Sequence, residues 1–166
     1  MFEVVPVVVA VLAASYALVT DVRSRRVPNW LTAGGFVAGI LLNLLAFGPQ
    51  GGLSALGGGA LGFALLIPFY LMGVMGAGDV KLLAACGALL GPQSLLSVAT
   101  AGALVGGLMS LMILARRGRL TLALHEMFVM HTIPTPSGAK APYAVAIASG
   151  VYLAVLPGLP MILLGT

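Results

Sequence analysis

The chain has 166 residues, of which only 7% are charged and 60% are hydrophobic, and its mean hydropathy is +1.13. A soluble domain carries roughly 25% charged residues, and a domain of this size still leaves about 30% of its chain surface in water. A water-soluble globule is therefore excluded. A disordered chain and a disulfide-linked secreted module are excluded too, since Cys86 is the only cysteine. The composition predicts one integral-membrane domain over residues 1–166.

Long uncharged apolar stretches recur along the chain. Each has about 17 to 23 residues, the length that crosses a hydrocarbon core as a helix, and none alternates like a barrel strand. A sixth, shorter stretch follows Asp79 and ends near Leu90. The sequence thus predicts an all-α membrane protein, a polytopic bundle of six transmembrane helices. The five long stretches are Val4 to Thr20, Leu31 to Phe47, Leu53 to Met75, Ser94 to Ala115 and Pro142 to Leu164.

The placement of the basic residues predicts the topology. With six crossings and both termini outside, all eight Lys and Arg residues lie on or near the cytoplasmic face, as the positive-inside bias favours. If the short stretch after Asp79, which is the fourth in chain order, did not cross, the arginines at 116, 117 and 119 would move outside. The outer loops, at 48–52 and 91–93, are short and uncharged. We therefore expect the functional site on the cytoplasmic face.

The piece between Leu120 and Ile133 is mostly apolar but too short to span after a basic turn. It is predicted to be an interfacial segment on the cytoplasmic face. It carries His125, Glu126 and His131, whose spacing does not match the His-Glu-x-x-His zinc pattern. We expect a solvated interfacial face there, with no metal and no cofactor.

Two of the four acidic residues, Asp21 and Asp79, stand where predicted helices meet the cytoplasmic boundary. An ionised Asp at membrane depth costs at least about 2.5 kcal/mol on insertion scales, which indicates a task. Alternatively, each ends a span in the headgroup region, with Asp21 pairing with Arg23 or Arg25. In the six-span topology both carboxylates reach the same depth on the same face. Such a pair can act as base and acid together, the chemistry of an aspartic protease.

Two glycines, Gly76 and Gly78, precede Asp79. They give the backbone freedom for an irregular start to the fourth helix, and they leave room for an extended chain to approach. A lone Gly-x-Gly-Asp is common. Its position at a membrane boundary, with another aspartate at the same depth, favours a functional role.

The run from Gly76 to Leu82, Gly-Ala-Gly-Asp-Val-Lys-Leu, resembles the GxGD signature of intramembrane aspartyl proteases, and the Val-Lys-Leu is typical of type IV prepilin peptidases. Asp21 followed by Arg23, Arg25, Arg26 and Val27-Pro28-Asn29 resembles the family's Asp, basic residues and hydrophobic-Pro-Asn turn. Lys140-Ala141-Pro142-Tyr143-Ala144 resembles its short Pro-aromatic motif near the last span. The likeness extends over essentially the whole chain.

The resemblance implies that Asp21 and Asp79 are catalytic and that the substrate is a prepilin with a short basic leader. Cleavage is implied at the cytoplasmic face of the bacterial inner membrane. Long family members carry cysteine pairs in an N-terminal segment associated with methylation. With Cys86 alone, the chain looks like the short, CpaA- or TadV-like branch linked to Flp-type pilins of tight-adherence systems, and methylation is not expected.

Several further residues are possible substrate or structural contacts. Lys81 points about 160° away from Asp79 on a helix, so it either snorkels to headgroups or contacts the substrate or Asp21. Pro28 and Asn29 are predicted to shape the turn into the second helix, with Asn29 capping it or bonding to the active-site loop. Pro142 suits the first turn of the last helix, and Tyr143 is an interfacial anchor or a substrate contact.

Two other functions fit the composition. A proton-coupled transporter would place its aspartates nearer the midplane and would repeat between chain halves, and neither feature is apparent. A non-catalytic assembly protein would need no aspartate pair. The expected partners are the prepilin and the lipid bilayer, and no nucleic acid. The sequence indicates neither the particular pilin nor the oligomeric state.

Overall fold

The computed structural model describes residues 4–24, 26–116, 118 and 143–155. Within these ranges the regular structure is helical and no strand is present. Three helices, α1, α2 and α3, are each long and apolar enough to cross a membrane, whereas α4 is a shorter apolar helix as described. The predicted class, an α-helical membrane protein, is confirmed at this level. The helices are α1 (Val4–Ser24), α2 (Asn29–Leu71), α3 (Ala77–Arg116) and α4 (Tyr143–Val155).

The helices α2 and α3 are each interrupted by a glycine with positive φ. Gly48 has φ 66° and ψ −155°, and Gly91 has φ 76° and ψ 170°. Residues that carry a Cβ rarely adopt such a backbone. A proline follows each glycine, and proline has no N–H to continue the hydrogen bonding of the preceding turn. Both breaks coincide with the short outer loops predicted from the sequence.

Both long helices fold back on themselves at these breaks. In α2, Gly59 lies against the ring of Phe36, and in α3, Gly87 lies within contact distance of the Leu95 side chain. Each long helix is therefore a helical hairpin. The arms are 29–47 and 49–71 in α2, and 77–90 and 92–116 in α3. Together with α1 and α4 they make six helical segments in the described part of the chain.

Asn43 bridges the two hairpins close to their breaks. Pro92 has no N–H, so the carbonyl of Ala88 loses its usual partner four residues on. The Nδ2 atom of Asn43 donates to the carbonyl oxygens of Ala88 and Leu89 at 3.1 Å each, and to that of Gly39 at 2.9 Å. Asn43 therefore links two helices by hydrogen bonds, as polar residues in the middle of a span usually do.

The 77–90 arm lies at the centre of the described bundle. From Asp79 to Leu89 every residue except Lys81 is buried. The arm is thus surrounded by its neighbours, and it carries Asp79 in its first turn.

Three of the Gly-xxx-Gly pairs of the sequence pack against other helices of this chain. Gly58 lies against the backbone of Gly87, and Gly62 against that of Leu83. Such contacts let helix backbones approach closely, which is the main source of packing energy between helices in a bilayer. The pairs therefore serve internal packing. The other two pairs behave alike: Gly35 and Gly39 face α3, and Gly102 and Gly106 face Ala146 of α4.

The two hairpins share a short repeat. The tripeptide Gly-Pro-Gln stands at both breaks, at 48–50 and at 91–93, and Leu-Ser follows at 53–54 and 96–97. The hairpins also begin at the same end of the bundle, since Asn29 and Lys81 are hydrogen-bonded. The likeness is limited to these few residues at the two breaks, and it is not the repeat between chain halves that a transporter would show.

Candidate active site

Asp79 is held by the turn that leads into α3. Its backbone N–H donates to the carbonyl oxygen of Gly76 at 3.2 Å, and its Oδ2 accepts the N–H of Gly76, also at 3.2 Å. A third-position acid that bonds back to the N–H before the helix is half of a capping box. The side chain is only 9% exposed. The Gly76 to Asp79 turn thus fixes the carboxylate at the N-terminal end of the central arm.

Asp21 lies in the last turn of α1 and is 7% exposed. Its Oδ2 accepts the backbone N–H of Ala144, in the first turn of α4, at 3.2 Å. The positive end of the α4 dipole therefore faces this carboxylate. Further along the same two helices, the Ser15 and Tyr152 hydroxyl groups are 2.6 Å apart and share a hydrogen bond. The orientation of Asp21 thus depends on how α4 packs on α1.

The structure brings both aspartates to one end of the same core. Ala17, one turn before Asp21, belongs to a buried cluster that also contains Leu82, about one turn after Asp79, and Ala144. Cys86 is part of this cluster and is fully buried, in keeping with a small packing residue. The helices α1, α3 and α4 therefore present two buried carboxylates at one end of their shared core.

The turn after α1 packs on the glycines before Asp79. A Cβ atom built on Gly78 would lie 3.2 Å from the Cβ atom of Val27, closer than ordinary van der Waals contact. In the direction in which a Cβ atom would project, the space beside Gly78 is therefore filled by the chain's own Val27. The sequence predicts that this space is free for a substrate chain, so the structure differs from that prediction here. The contact also brings the segment that follows Asp21 against the turn that holds Asp79.

Lys81 is hydrogen-bonded to the start of α2. Its Nζ donates to Oδ1 of Asn29 at 3.1 Å, and the lysine is exposed. Asn29 is the first residue of α2, and the N-cap position belongs to Pro28, with no side-chain cap hydrogen bond. Asn29 therefore does not cap its helix with its side chain, and its Oδ1 accepts from Lys81 of α3.

The remaining candidates lie at the rim of the site or outside the described residues. Arg23 and Arg26 are exposed beside the end of α1. Tyr143 is half-buried and opens α4. Arg25, Lys140 and Pro142 lie outside the described residues, as do His125, Glu126 and His131 of the predicted interfacial segment. Among the residues that the structure does describe, no three His, Cys, Asp or Glu side chains group as a metal site would require.

Sequence reasoning missed two contributors to this site. Ala144 acts through its backbone N–H, which every residue except proline carries, so no side chain signals it. Val27 was noted only as part of a turn motif, although it fills the space beside Gly78. Both residues act through backbone geometry and close packing, which a single sequence does not record.

The site can support acid–base chemistry. A carboxylate can accept a proton, and a protonated carboxyl group can donate one. Each is oriented by a backbone N–H, from Gly76 or from Ala144. Backbone donors carry no proton that is exchanged in catalysis. They orient the acids without competing with them.

A family model described as the type IV leader peptidase family matches residues 8–111. The match covers more than half of the chain, including both Asp21 and Asp79. No curated protein sequence and no solved structure matched the chain. Members of the family are prepilin leader peptidases, which are aspartic-type endopeptidases. Three long apolar helices and two buried carboxylates agree with such an enzyme, and the chain belongs to the type IV leader peptidase family.

Proposed function

We propose that the chain removes the short leader peptide from a type IV prepilin at the cytoplasmic face, with Asp21 and Asp79 as the catalytic pair. The observation that carries the proposal is the burial of both carboxylates at one end of the core, each held by a backbone N–H. Buried acids are costly in a membrane protein and usually serve a function. The matched family supplies the reaction type.

In the proposed mechanism one aspartate is ionised and the other is protonated. The ionised carboxylate takes a proton from water as the water oxygen attacks the scissile carbonyl carbon. The protonated carboxyl group gives its proton to the carbonyl oxygen, forming a neutral tetrahedral intermediate. Collapse of the intermediate returns that proton to the second carboxylate and breaks the C–N bond, while the first aspartic acid protonates the leaving amine. The pair ends with one proton, as it began, and which residue starts as the base is left open.

We propose a topology of six crossings in the bacterial inner membrane, with both termini outside. The hairpin form of α3 supports it, because the 92–116 arm returns toward the end of the bundle where the 77–90 arm begins. Ser110 and Met75 line one cavity. The C-terminal end of the 92–116 arm, which leads to Arg116, therefore lies near the Gly76 to Asp79 turn. Arg23, Arg26, Lys81 and Arg116 then all face the cytoplasm, as the positive-inside bias favours.

The proposed substrate within the family is an Flp-like prepilin of tight-adherence systems. This choice rests on the resemblance of the sequence motifs to the short branch, and methylation of the product is not expected. Co-expression with an Flp-like prepilin and, separately, with a longer type IV prepilin tests the choice. The Flp-like leader is expected to be removed in preference. Equal or preferred processing of the longer prepilin would overturn it.

Asp21→Asn and Asp79→Asn test the catalytic pair. Each change keeps the side-chain shape and removes the acid, so each is expected to lower processing by at least about 100-fold. Processing is measured by the gel shift of a co-expressed prepilin, and membrane insertion is checked alongside. Glu126→Gln, which removes another of the four acids, is the control and is expected to leave processing intact. Near-normal cleavage by either Asp variant would refute the pair.

A further inference from the structure

An apolar groove of about 380 Å³ lies between the 49–71 arm of α2, the 92–116 arm of α3 and α4. We call it the α4 groove. Its lining includes Phe69 and Met75 from α2 and the turn after it, Ala103 and Gly107 from α3, and Tyr143 and Ile147 from α4. Apart from Tyr143 and Ser110, the side chains that line the groove have no polar group. The groove can therefore hold only apolar groups over most of its length.

The α4 groove ends beside both aspartates. Met75 directly precedes Gly76, whose N–H donates to Asp79. Tyr143 directly precedes Ala144, whose N–H donates to Asp21. One end of the groove is thus bordered by the neighbours of both backbone donors. A chain that leaves the groove at this end arrives at the carboxylate pair.

The side of the groove formed by α3 is open. Ala103 and Gly107 are exposed, and a Cβ atom built on Gly107 would meet nothing within 4 Å. Small residues four positions apart lie on one face of a helix and let another helix approach closely. Because this side faces the bilayer, an occupant must enter as an apolar membrane segment.

We propose that the α4 groove receives the apolar segment of the prepilin, so that the leader junction emerges at Asp21 and Asp79. The inference rests on the proposed function and adds where the substrate lies. A transmembrane helix offers no open peptide carbonyl, and extended backbone at this depth is tolerated only where protein or water satisfies it. The groove holds the helical part, and the junction unwinds beyond Met75 and Tyr143.

A second groove, of about 750 Å³, lies between the two arms of α2 and α3 and includes Ala60. Its polar end is the hydrogen-bonded pair Lys81 and Asn29. It does not include the residues next to Gly76 or Ala144. Its larger volume therefore does not make it the better route to the carboxylates, and it provides a comparison site for the experiment.

The test fills the α4 groove without disturbing the core. Gly107→Leu places a side chain in the open groove, while Gly57→Leu is the matched control, since Gly57 is also exposed, also helical and also free of contacts at its Cβ position. KM and kcat are measured with purified prepilin in one lipid. Gly107→Leu is expected to raise KM about tenfold with little change in kcat, because substrate capture is weakened and chemistry is not. Gly57→Leu is expected to match the wild type.

Binding of intact prepilin to the Asp79→Asn variant separates the two proposals. Adding Gly107→Leu to that variant is expected to raise the prepilin Kd by the same factor. Unchanged Kd and KM would overturn the docking site and leave the catalytic pair standing, whereas cleavage by Asp79→Asn alone would overturn the proposed function. If Ala60→Leu raised KM and Gly107→Leu did not, the substrate would be assigned to the second groove, and the inference would be overturned.

Discussion

The backbone N–H of Ala144 donates a hydrogen bond to Oδ2 of Asp21 at 3.2 Å, across 123 positions of the chain. It links the first turn of α4 to the last turn of α1. The motif Pro-Tyr-Ala near the last span therefore contributes a donor for one of the two carboxylates. The aromatic side chain of Tyr143 lines the α4 groove instead.

Replacing Ala144 with proline removes this donor. Proline is tolerated in the first turn of a helix, where the N–H groups have no partner within the helix. In the proposed cycle Asp21 is ionised at one stage whichever residue starts as the base, and a hydrogen bond to a charged group contributes about 1.5 to 3 kcal/mol. The value of kcat is therefore expected to fall about tenfold or more with KM unchanged. Val145→Pro, in the same turn, is the control. Equal kcat values for the two variants would show that the Ala144 donor has no catalytic effect.

Gly78→Val is expected to damage cleavage, because the new side chain would overlap Val27. Overpacking of this kind costs about 1 to 3 kcal/mol and would shift the turn that holds Asp79. The double variant Gly78→Ala with Val27→Gly removes the two side-chain atoms of Val27 nearest to the new methyl group, Cβ and Cγ2, and is expected to retain more activity than Gly78→Ala alone. Activities are compared by the initial rate of prepilin processing. If the Val27 change gives no rescue, the crowding does not involve Val27.

Gly58→Ala is expected to destabilise the bundle. Its Cβ atom would collide with the Gly87 carbonyl oxygen, so the 49–71 arm would move away from the central 77–90 arm, at a cost of about 1 to 3 kcal/mol. The free energy of unfolding is measured in mixed micelles. Gly57→Ala, one position away and exposed with open space at its Cβ, is expected to leave the free energy of unfolding unchanged or to raise it by up to about 1 kcal/mol, because alanine favours a helix over glycine. Equal effects of the two variants would contradict the close crossing.

Chelators are expected to leave processing unchanged, since the proposed acid–base pair requires no metal ion. The measurement compares initial rates with and without a chelator, followed by added zinc. Loss of activity that zinc restores would contradict the proposed mechanism. It would direct attention to His125, Glu126 and His131.

The positions of the helix breaks and the placement of the two aspartates at helix ends could be predicted from the sequence. Gly-Pro pairs interrupt helices because proline lacks an N–H and glycine tolerates a positive φ. An acid between two apolar runs is expected at a helix end, because it is costly in the middle of a membrane span. The partner of Lys81 could not be predicted, because it depends on how α2 packs beside α3. The same holds for Ala144 and Val27, whose contributions are a backbone N–H and a methyl contact. The Gly-Pro-Gln repeat is present in the sequence, but only the structure shows that the chain reverses direction at both copies.

The enclosure of the 77–90 arm divides the site into a fixed part and an adjustable part. Asp79 stands on a helix that contacts its neighbours backbone to backbone at Gly87 and Leu83, so moving it would require repacking of the whole interior. Asp21 lies on α1, at the periphery of the bundle. The exposed, lipid-facing side of α1 includes Leu12, Tyr16 and Val19. Helices in contact with lipid respond to bilayer thickness by tilting. We therefore expect a change in bilayer thickness to alter the separation of the two aspartates through α1, with Asp79 as the stationary member of the pair.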